Sequence, residues 1–121
     1  RLAMQWSVRI NEAYQRLKNP IKRATYLCQL NGAPIQAETN TAMPAAFLMQ
    51  QMAWREELDD AQDPAAFEKL RAEVEAARAR ALSSLDWLID EKGDYAEAAR
   101  QVRALMFIEL FAEDIEAKVD Q

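Results

Sequence analysis

The stretch PAAFLMQQMAWREELDDA, from Pro44 to Ala61, decides the fold because it predicts one helix that carries two apolar stripes. At about 100° per residue, Phe47, Trp54 and Leu58 fall within one stripe. Its aromatic rings make that stripe the core face, and a bundle helix requires only one such face. The other stripe lies on a separate side of the helix and stays available on the surface; its members are Leu48, Met49 and Met52.

The composition predicts an all-α protein. The 121 residues include only 2 glycines and 4 prolines, and long segments place Leu and Ala at helical spacing among Glu, Lys and Arg. A chain of this length builds one modest core and is too short for a large catalytic domain. Because no apolar run approaches the roughly 18 residues that span a bilayer, we expect a cytoplasmic protein without membrane contact.

Residue types exclude several kinds of site. Cys28 is the single cysteine and the chain has no histidine, so neither an internal disulfide nor a histidine-based metal or acid–base site is possible. The acidic run EELDDAQD spreads its carboxylates around a helix, whereas a cation-binding loop makes them converge. We therefore expect neither a metal nor another cofactor.

The charge is distributed unevenly along the chain. Residues 1–30 carry 6 Lys or Arg against 1 acid, and residues 31–121 carry 9 against 19. The acidic larger part would repel phosphates, which argues against nucleic acid as a partner. The asymmetry also predicts a molecule of two parts.

Residues 1–32 predict a helical hairpin. Apolar residues recur every three or four positions from Leu2 to Leu17, and the proline at position 20 ends that helix. A second helix begins there and closes at Gly32, which accommodates the left-handed conformation of a helix C-terminus. The predicted apolar side of this second helix consists of Ala24, Leu27 and Leu30.

Residues 33–43 lack periodicity and are predicted to be a linker, whereas residues 44–121 predict an antiparallel three-helix bundle. Asp63 precedes a proline and is expected to cap the second bundle helix. Gly93 and Asp94 mark the end of that helix and the cap of the next. The three helices are predicted at about 44–61, 64–88 and 95–119.

The second stripe of the first bundle helix predicts a docking surface with an acidic rim. In the last helix, Phe107 lies about 140–160° from the predicted core residues, so a neighbouring helix would bring it beside the stripe. Contiguous apolar surface marks a binding site. A broader core that packs on the linker or the hairpin is the alternative. The predicted surface consists of Leu48, Met49, Met52, Glu56, Asp60 and Phe107.

Two other classes of protein remain open from the pattern. Arg71 and Arg78 flank the core side of the middle bundle helix, and their convergence on an interior polar cavity would indicate a small bundle enzyme of the chorismate-mutase type. The second stripe would also suit the seam of a self-associating helical module. A solid apolar interior argues against the enzyme, and a monomer, which we expect, argues against the seam.

The segment INEAYQRLKNPIKRATYL, Ile10 to Leu27, resembles the last two helices of a J-domain. Continuing through CQLNG and AFLMQQMAWREELDDA, the chain is similar to the HscB (Jac-type) family of J-protein co-chaperones of iron–sulfur cluster assembly. The resemblance implies a protein that is not an enzyme, whose three-helix bundle binds the cluster scaffold IscU and delivers it to the DnaK-like ATPase HscA. The family's scaffold-binding residues fall on Leu48, Met49, Met52, Glu56, Asp60 and Phe107.

The sequence departs from the family pattern in two respects. Ala53 stands where a glutamate is common, and Met52 and Asp60 replace the commoner leucine and glutamate, so the rim carries less charge. The His-Pro-Asp loop that acts on the chaperone does not occur in a chain without histidine. We therefore expect the C-terminal part of a longer protein, with a remnant of the J-domain, that binds scaffold and does not by itself stimulate ATP hydrolysis.

Overall fold

The computed structural model describes residues 19–121, which contain α-helices and no strand. The prediction of an all-α protein is confirmed. The predicted helix over residues 2–17 lies outside the described residues. In chain order the helices are α1 (Pro20–Leu30), α2 (Ala45–Asp60), α3 (Pro64–Trp87) and α4 (Tyr95–Val119), with a π-helical turn at Leu88–Lys92.

Helices α2 and α4 run parallel to each other. Near the start of α2, Phe47 faces Phe107 of α4, with ring centroids 5.7 Å apart, and two turns later Trp54 faces Phe111 at 5.6 Å. Helix α3 is joined to each of them by a short turn and runs antiparallel to both. Residues 45–119 therefore form the up-down-up bundle that the short turns predict.

The interior of the described residues is apolar and is centred on α4. This helix packs against α1 and α3 and meets α2 through aromatic rings, and nine of its 25 residues are buried. Leu70 and Val74 of α3 face it at helical spacing. The largest fully buried side chains are Trp54, Phe111, Leu70, Leu85, Leu105, Ile108 and Ile115.

Aspartate side chains cap two of the bundle helices where the sequence predicts them. Asp63 accepts a hydrogen bond from the backbone N–H of Ala66 (2.8 Å), and Asp94 accepts one from that of Glu97 (3.2 Å). These bonds satisfy N–H groups that have no partner within the helix. Helix α2 has no side-chain cap and begins at Ala45, one residue later than predicted, because the proline before it is extended.

Helix α3 ends in a widened turn at the predicted glycine. Gly93 has a φ of 63°, a left-handed conformation that glycine adopts without steric penalty. The backbone N–H groups of Gly93 and Asp94 both donate to the carbonyl oxygen of Leu88, the latter at 2.9 Å. These bonds satisfy the carbonyl group of Leu88, and the turn reverses the direction of the chain into α4.

Helix α1 packs on α4 through small side chains. Ala24 and Cys28, one turn apart, are buried, and Arg23 pairs with Asp90 of the π-helical turn (Nη2 to Oδ1, 3.1 Å). The prediction that Leu30 shares the buried side is wrong, since its side chain is 64% exposed. Six residues separate Leu30 from Ala24, which turns it about 120° away from the buried line.

The thiol of Cys28 is expected to react only when α1 separates from α4. It is fully buried, its Sγ lies 3.6 Å from the carbonyl oxygen of Tyr95, and burial raises its pKa. Alkylation requires the thiolate, so it should be at least about 100-fold slower in the folded chain than in urea. Mass spectrometry of timed samples measures both rates, and equal rates would contradict the packing.

The raised pKa of the Cys28 thiol also sets the sign of a pH effect on stability. As pH rises, the thiol ionises first in the unfolded chain, because its pKa is higher in the fold. The stabilisation is fully present below the unfolded pKa and declines as pH rises towards the folded pKa. Urea unfolding at increasing alkaline pH should therefore show a decrease in stability that Cys28→Ala reduces.

Arg103 fixes the linker to α4. Its side chain is only 6% exposed and donates hydrogen bonds to three linker carbonyl oxygens: Nε to Ile35 (2.9 Å), Nη1 to Ala42 (2.9 Å) and Nη2 to Pro34 (3.3 Å). Burial lowers the pKa of Arg103, and the carbonyl oxygens supply the polar contacts that a buried guanidinium requires. Residues 33–43, although irregular, are therefore anchored near both ends.

Candidate docking surface

The second stripe of α2 is exposed on the surface. Leu48 is 47% exposed, Met49 72% and Met52 70%; we call these three residues the α2 patch. On the first stripe, Trp54 and Leu58 are buried, so the bundle core is complete without the patch. Unbranched methionine side chains adapt to irregular partners, and clustered exposed apolar groups mark interaction sites. The geometry of α2 therefore offers a place for a protein partner.

Phe107 of α4 forms part of a groove beside the α2 patch. Its ring is half-buried, packs edge to face on Phe47 (5.7 Å) and stacks on Phe111 (6.0 Å). Met52 lines the groove with it. The expected proximity of these two residues is therefore present. The expectation that Phe107 turns outward is only partly met, because one side of its ring packs on the aromatic residues beneath it.

The aromatic residues below the groove make a firm base for the surface. Trp54 and Phe111 stack nearly parallel, with 16° between their planes, and Phe47 packs edge to face on the indole at 5.9 Å. Such pairs each contribute about 0.5–1.5 kcal/mol beyond the area that they bury. A surface that is already ordered loses less entropy when a partner binds.

Arg55 is a groove residue that sequence reasoning missed. Its Nη1 and Nη2 atoms both lie 3.2 Å from Oδ2 of Asp114 on α4. Its guanidinium carbon lies 5.0 Å from the centre of the Phe111 ring, a cation–π contact. The side chain therefore ties α2 to α4 across the groove. Helical spacing predicts that Arg55 neighbours Met52, but it does not identify a partner 59 residues away.

The acidic rim lies towards the C-terminal end of α2. Glu56 and Asp60 are exposed and four residues apart, hence on one face of the helix, and Glu56 also lines the groove. The last carbonyl groups of α2 carry partial negative charge. Lys118 of α4 donates hydrogen bonds to two of them, those of Leu58 and, at 3.0 Å, Asp59. The rim carboxylates therefore face solvent while this nearby cation is engaged by backbone oxygens.

The linker borders the α2 patch and leaves it open. Met43 Sδ lies 2.9 Å from Nε2 of Gln51, a residue that lines the groove. Met49 and Met52 nevertheless keep about seven-tenths of their surface exposed. The alternative in which the patch packs on neighbouring structure therefore does not hold for the linker or for α1.

The arginines of the alternative enzyme do not converge. Arg71 pairs with Glu116 (Nε to Oε1, 2.6 Å) and with Glu68, and Arg78 approaches Glu75 (3.8 Å), all near the surface of the bundle. Hydrogen bonds between the partners raise the pKa of Arg71 and lower that of Glu116. In the described part of the chain, these arginines pair with glutamates at the surface of the bundle and do not converge in its interior as a bundle enzyme would require.

Residues 19–121 show the features of neither a membrane span nor a metal site. No helix in this range is both long and apolar enough to cross a membrane. In the same range, no three side chains of the ligating types gather as metal ligands do. The recognisable chemistry of this surface is an apolar patch with a groove beside it and carboxylates at one end.

The fold and the exposed α2 patch define a helical protein with a candidate docking surface. The family model of the HSCB C-terminal oligomerisation domain matches residues 43–116. The co-chaperone protein HscB homolog of Bordetella pertussis is 57% identical over 118 residues, covering 97% of this chain and 69% of that protein. Chaperone HscB from Vibrio cholerae has a TM-score of 0.84 at 37% identity, over 99% of this chain and 73% of that one. The crystal structure of human co-chaperone protein HscB has a TM-score of 0.81 at 27% sequence identity. That match covers 95% of this chain and 58% of the human one.

The chain belongs to the HscB family of co-chaperones. The resemblance stated from the sequence is thereby confirmed. The relatives are named as co-chaperones, which are not enzymes, so the prediction that this protein is not an enzyme is confirmed as well. A co-chaperone works through contacts with other proteins, and an exposed apolar patch is suited to that role.

Proposed function

We propose that this chain binds an iron–sulfur cluster scaffold of the IscU type and helps to deliver it to the DnaK-like chaperone HscA. The proposed binding surface is the α2 patch with Glu56, Asp60 and Phe107. The observation that carries the proposal is the α2 patch, which is exposed by up to 72% although the core is complete without it. The family resemblance supplies the identity of the two partners.

The apolar part of the surface is expected to provide most of the binding energy. Burial of apolar area contributes about 25 cal/mol per Å², and a few central residues usually dominate an interface. The carboxylates of Glu56 and Asp60 are expected to contribute less energy and more orientation, because rim charges steer a basic partner and raise the association rate.

The proposal assigns different roles to the two ends of the chain. Residues 1–32 would belong to the J-domain, residues 33–43 would be the linker, and residues 44–121 would bind scaffold. Contact of α1 with α4 and the hydrogen bonds of Arg103 to the linker support a fixed position of α1 and the linker on the bundle. Because the chain has no histidine, these 121 residues are not expected to stimulate HscA without a His-Pro-Asp loop.

Truncation of the α2 patch is expected to abolish scaffold binding. Replacing Leu48, Met49 and Met52 together by alanine should weaken the affinity by at least about 100-fold, because it removes the apolar centre of the interface. All three side chains are exposed, so far-UV circular dichroism should not change. Isothermal calorimetry with an IscU-type scaffold measures the loss, and Leu30→Ala, at another exposed leucine, is the matched control.

Normal scaffold binding by this triple variant would show that the surface is assigned wrongly. Sedimentation at several concentrations tests the self-associating module in the same samples. If the unaltered chain is a dimer and the triple variant is a monomer that still binds scaffold, the result would favour the alternative in which the second stripe forms an interface between two copies of the chain. A monomer that loses scaffold binding supports the co-chaperone surface.

A further inference from the structure

The α2 patch has an apolar neighbour on α4 that the predicted surface does not include. Leu110 is 62% exposed, close to the values for Met49 and Met52. It follows Phe107 by three residues, so the two side chains are neighbours on one face of α4. A partner that covers the groove at Phe107 therefore meets Leu110 next.

The Arg55–Asp114 pair joins the two apolar areas. Asp114 follows Leu110 by four residues on α4, and Arg55 follows Met52 by three residues on α2, so each charged group lies one turn beyond an exposed apolar side chain. The guanidinium also covers Phe111 at 5.0 Å. Its aliphatic stem presents further apolar surface, as arginine stems commonly do. The surface thus continues across the groove without an uncompensated cation in its middle.

Parallel α2 and α4 place their acidic residues at the same end of this surface. On α2, Glu56 and Asp60 follow the apolar patch, and on α4, the exposed Glu113 and Asp114 follow Leu110 by three and four residues. Arg55 pairs with Asp114, so the negative charge at this end comes mainly from Glu56, Asp60 and Glu113, while the Lys118 ammonium group donates to backbone carbonyl groups. The surface is therefore apolar along its length and negative at one end.

We propose that the docking surface extends along α4 beyond Phe107, with Leu110 as a direct contact, and that its occupant is a scaffold protein whose apolar strip ends in basic residues. The proposal rests on the scaffold-binding function above. The acidic end fixes which way round the strip lies, because only one orientation brings its basic residues to the carboxylates of both helices.

A charge substitution at Leu110 tests the extent of the surface. Leu110→Glu in the 121-residue chain should weaken calorimetric binding of an IscU-type scaffold by at least about 10-fold, because a carboxylate would be buried among apolar groups. Leu30→Glu is the matched control, since Leu30 is 64% exposed and Leu110 62%. Leu30 lies two residues after Cys28 on α1, and the Cys28 thiol contacts Tyr95 at the start of α4. Leu110 lies 15 residues after Tyr95 on α4, a distance of about 22 Å along the helix. The control should bind within about twofold of the unaltered chain.

A lysine substitution tests the proposed orientation. Glu113→Lys should lower the association rate at low ionic strength by about 3-fold or more and reduce the salt dependence of binding. Glu91→Lys changes the charge equally at an exposed site in the turn before α4, at the other end of the helix. It should have less effect than Glu113→Lys, and equal effects of the two substitutions would overturn the orientation.

The outcomes separate this inference from the function on which it rests. Normal binding by Leu110→Glu, together with loss of binding by the α2 triple variant, would confine the surface to α2 and Phe107 and overturn the extension. Normal binding by both variants would overturn the proposed function itself. Loss of binding by both, with unchanged circular dichroism and a normal Leu30→Glu control, supports the surface across both helices.

Discussion

Replacement of Trp54 by alanine is expected to destabilise the bundle by about 3–5 kcal/mol, the range for removal of a large aromatic side chain from a core. Trp54 is 1% exposed and contacts both Phe47 and Phe111. A small domain has a total stability of only about 5–15 kcal/mol, so the variant should be partly unfolded at modest urea concentrations. Urea denaturation followed by far-UV circular dichroism measures the change.

Two variants show which property of Trp54 stabilises the fold. Its indole N–H is buried without a hydrogen-bond partner in the described residues, so Trp54→Phe removes no hydrogen bond and should lose less than half as much stability as Trp54→Ala. Trp87 is 52% exposed and contacts Lys92 through its ring. Trp87→Ala should cost less than about 1 kcal/mol. Equal losses at both tryptophans would contradict the assigned core.

Replacement of Arg103 by methionine is expected to destabilise the chain by about 2–3 kcal/mol and to release the linker. Methionine keeps the apolar stem but removes the donors that satisfy the carbonyl groups of Pro34, Ile35 and Ala42. A buried group left without its partner costs about 1–3 kcal/mol, and water would reach some of these carbonyl groups as the linker moves. Hydrogen exchange over residues 33–43 should rise more than exchange in α3.

Arg100 provides the matched control for Arg103. It lies one turn earlier on α4, is exposed, and within residues 19–121 pairs with Glu97 of the same helix (2.8 Å). Exposed pairs of this kind contribute about 0.3–0.5 kcal/mol, so Arg100→Met should leave the linker protected. Arg103→Lys should fall between the two, because one ammonium group does not reproduce the planar guanidinium that reaches three carbonyl groups. Unchanged linker exchange in Arg103→Met would show that other contacts, such as the buried side chain of Ile35, anchor this segment without the guanidinium.

The helices and the two stripes of α2 were predictable because they depend on local rules. Proline, aspartate and glycine mark helix ends at Asp63, Gly93 and Asp94, and the 3.6-residue period separates Trp54 from Met52. The structure agrees with each of these features. The error at Leu30 arose from the same rules, because the buried line of α1 passes through Ala24 and Cys28, and the predicted apolar side did not include the cysteine.

Contacts between distant segments were not predictable from the sequence. From the sequence alone, Arg103 resembles any solvated helix residue, and only the folded structure shows its contact with the linker. In the same way, Arg55 resembles an ordinary surface charge, and only the structure shows its pairing with Asp114 of α4. Phe107 was predicted beside the patch, but the stacking on Phe111 that half-buries it depends on the register between α2 and α4. Periodicity fixes the face on which a residue lies and carries no information on what meets that face.

The two sides of the proposed docking surface come from distant segments, with Arg55 and Asp114 59 residues apart in sequence, and the return of the chain through α3 brings the parallel helices α2 and α4 together. A peptide of residues 44–61 would carry the methionines of the α2 patch without Phe107 or Asp114. Recognition through the proposed surface would therefore require the folded bundle. A newly made or damaged chain in which α3 has unfolded would not be expected to bind the scaffold. Neither α2 nor α4 alone carries both sides of the proposed surface.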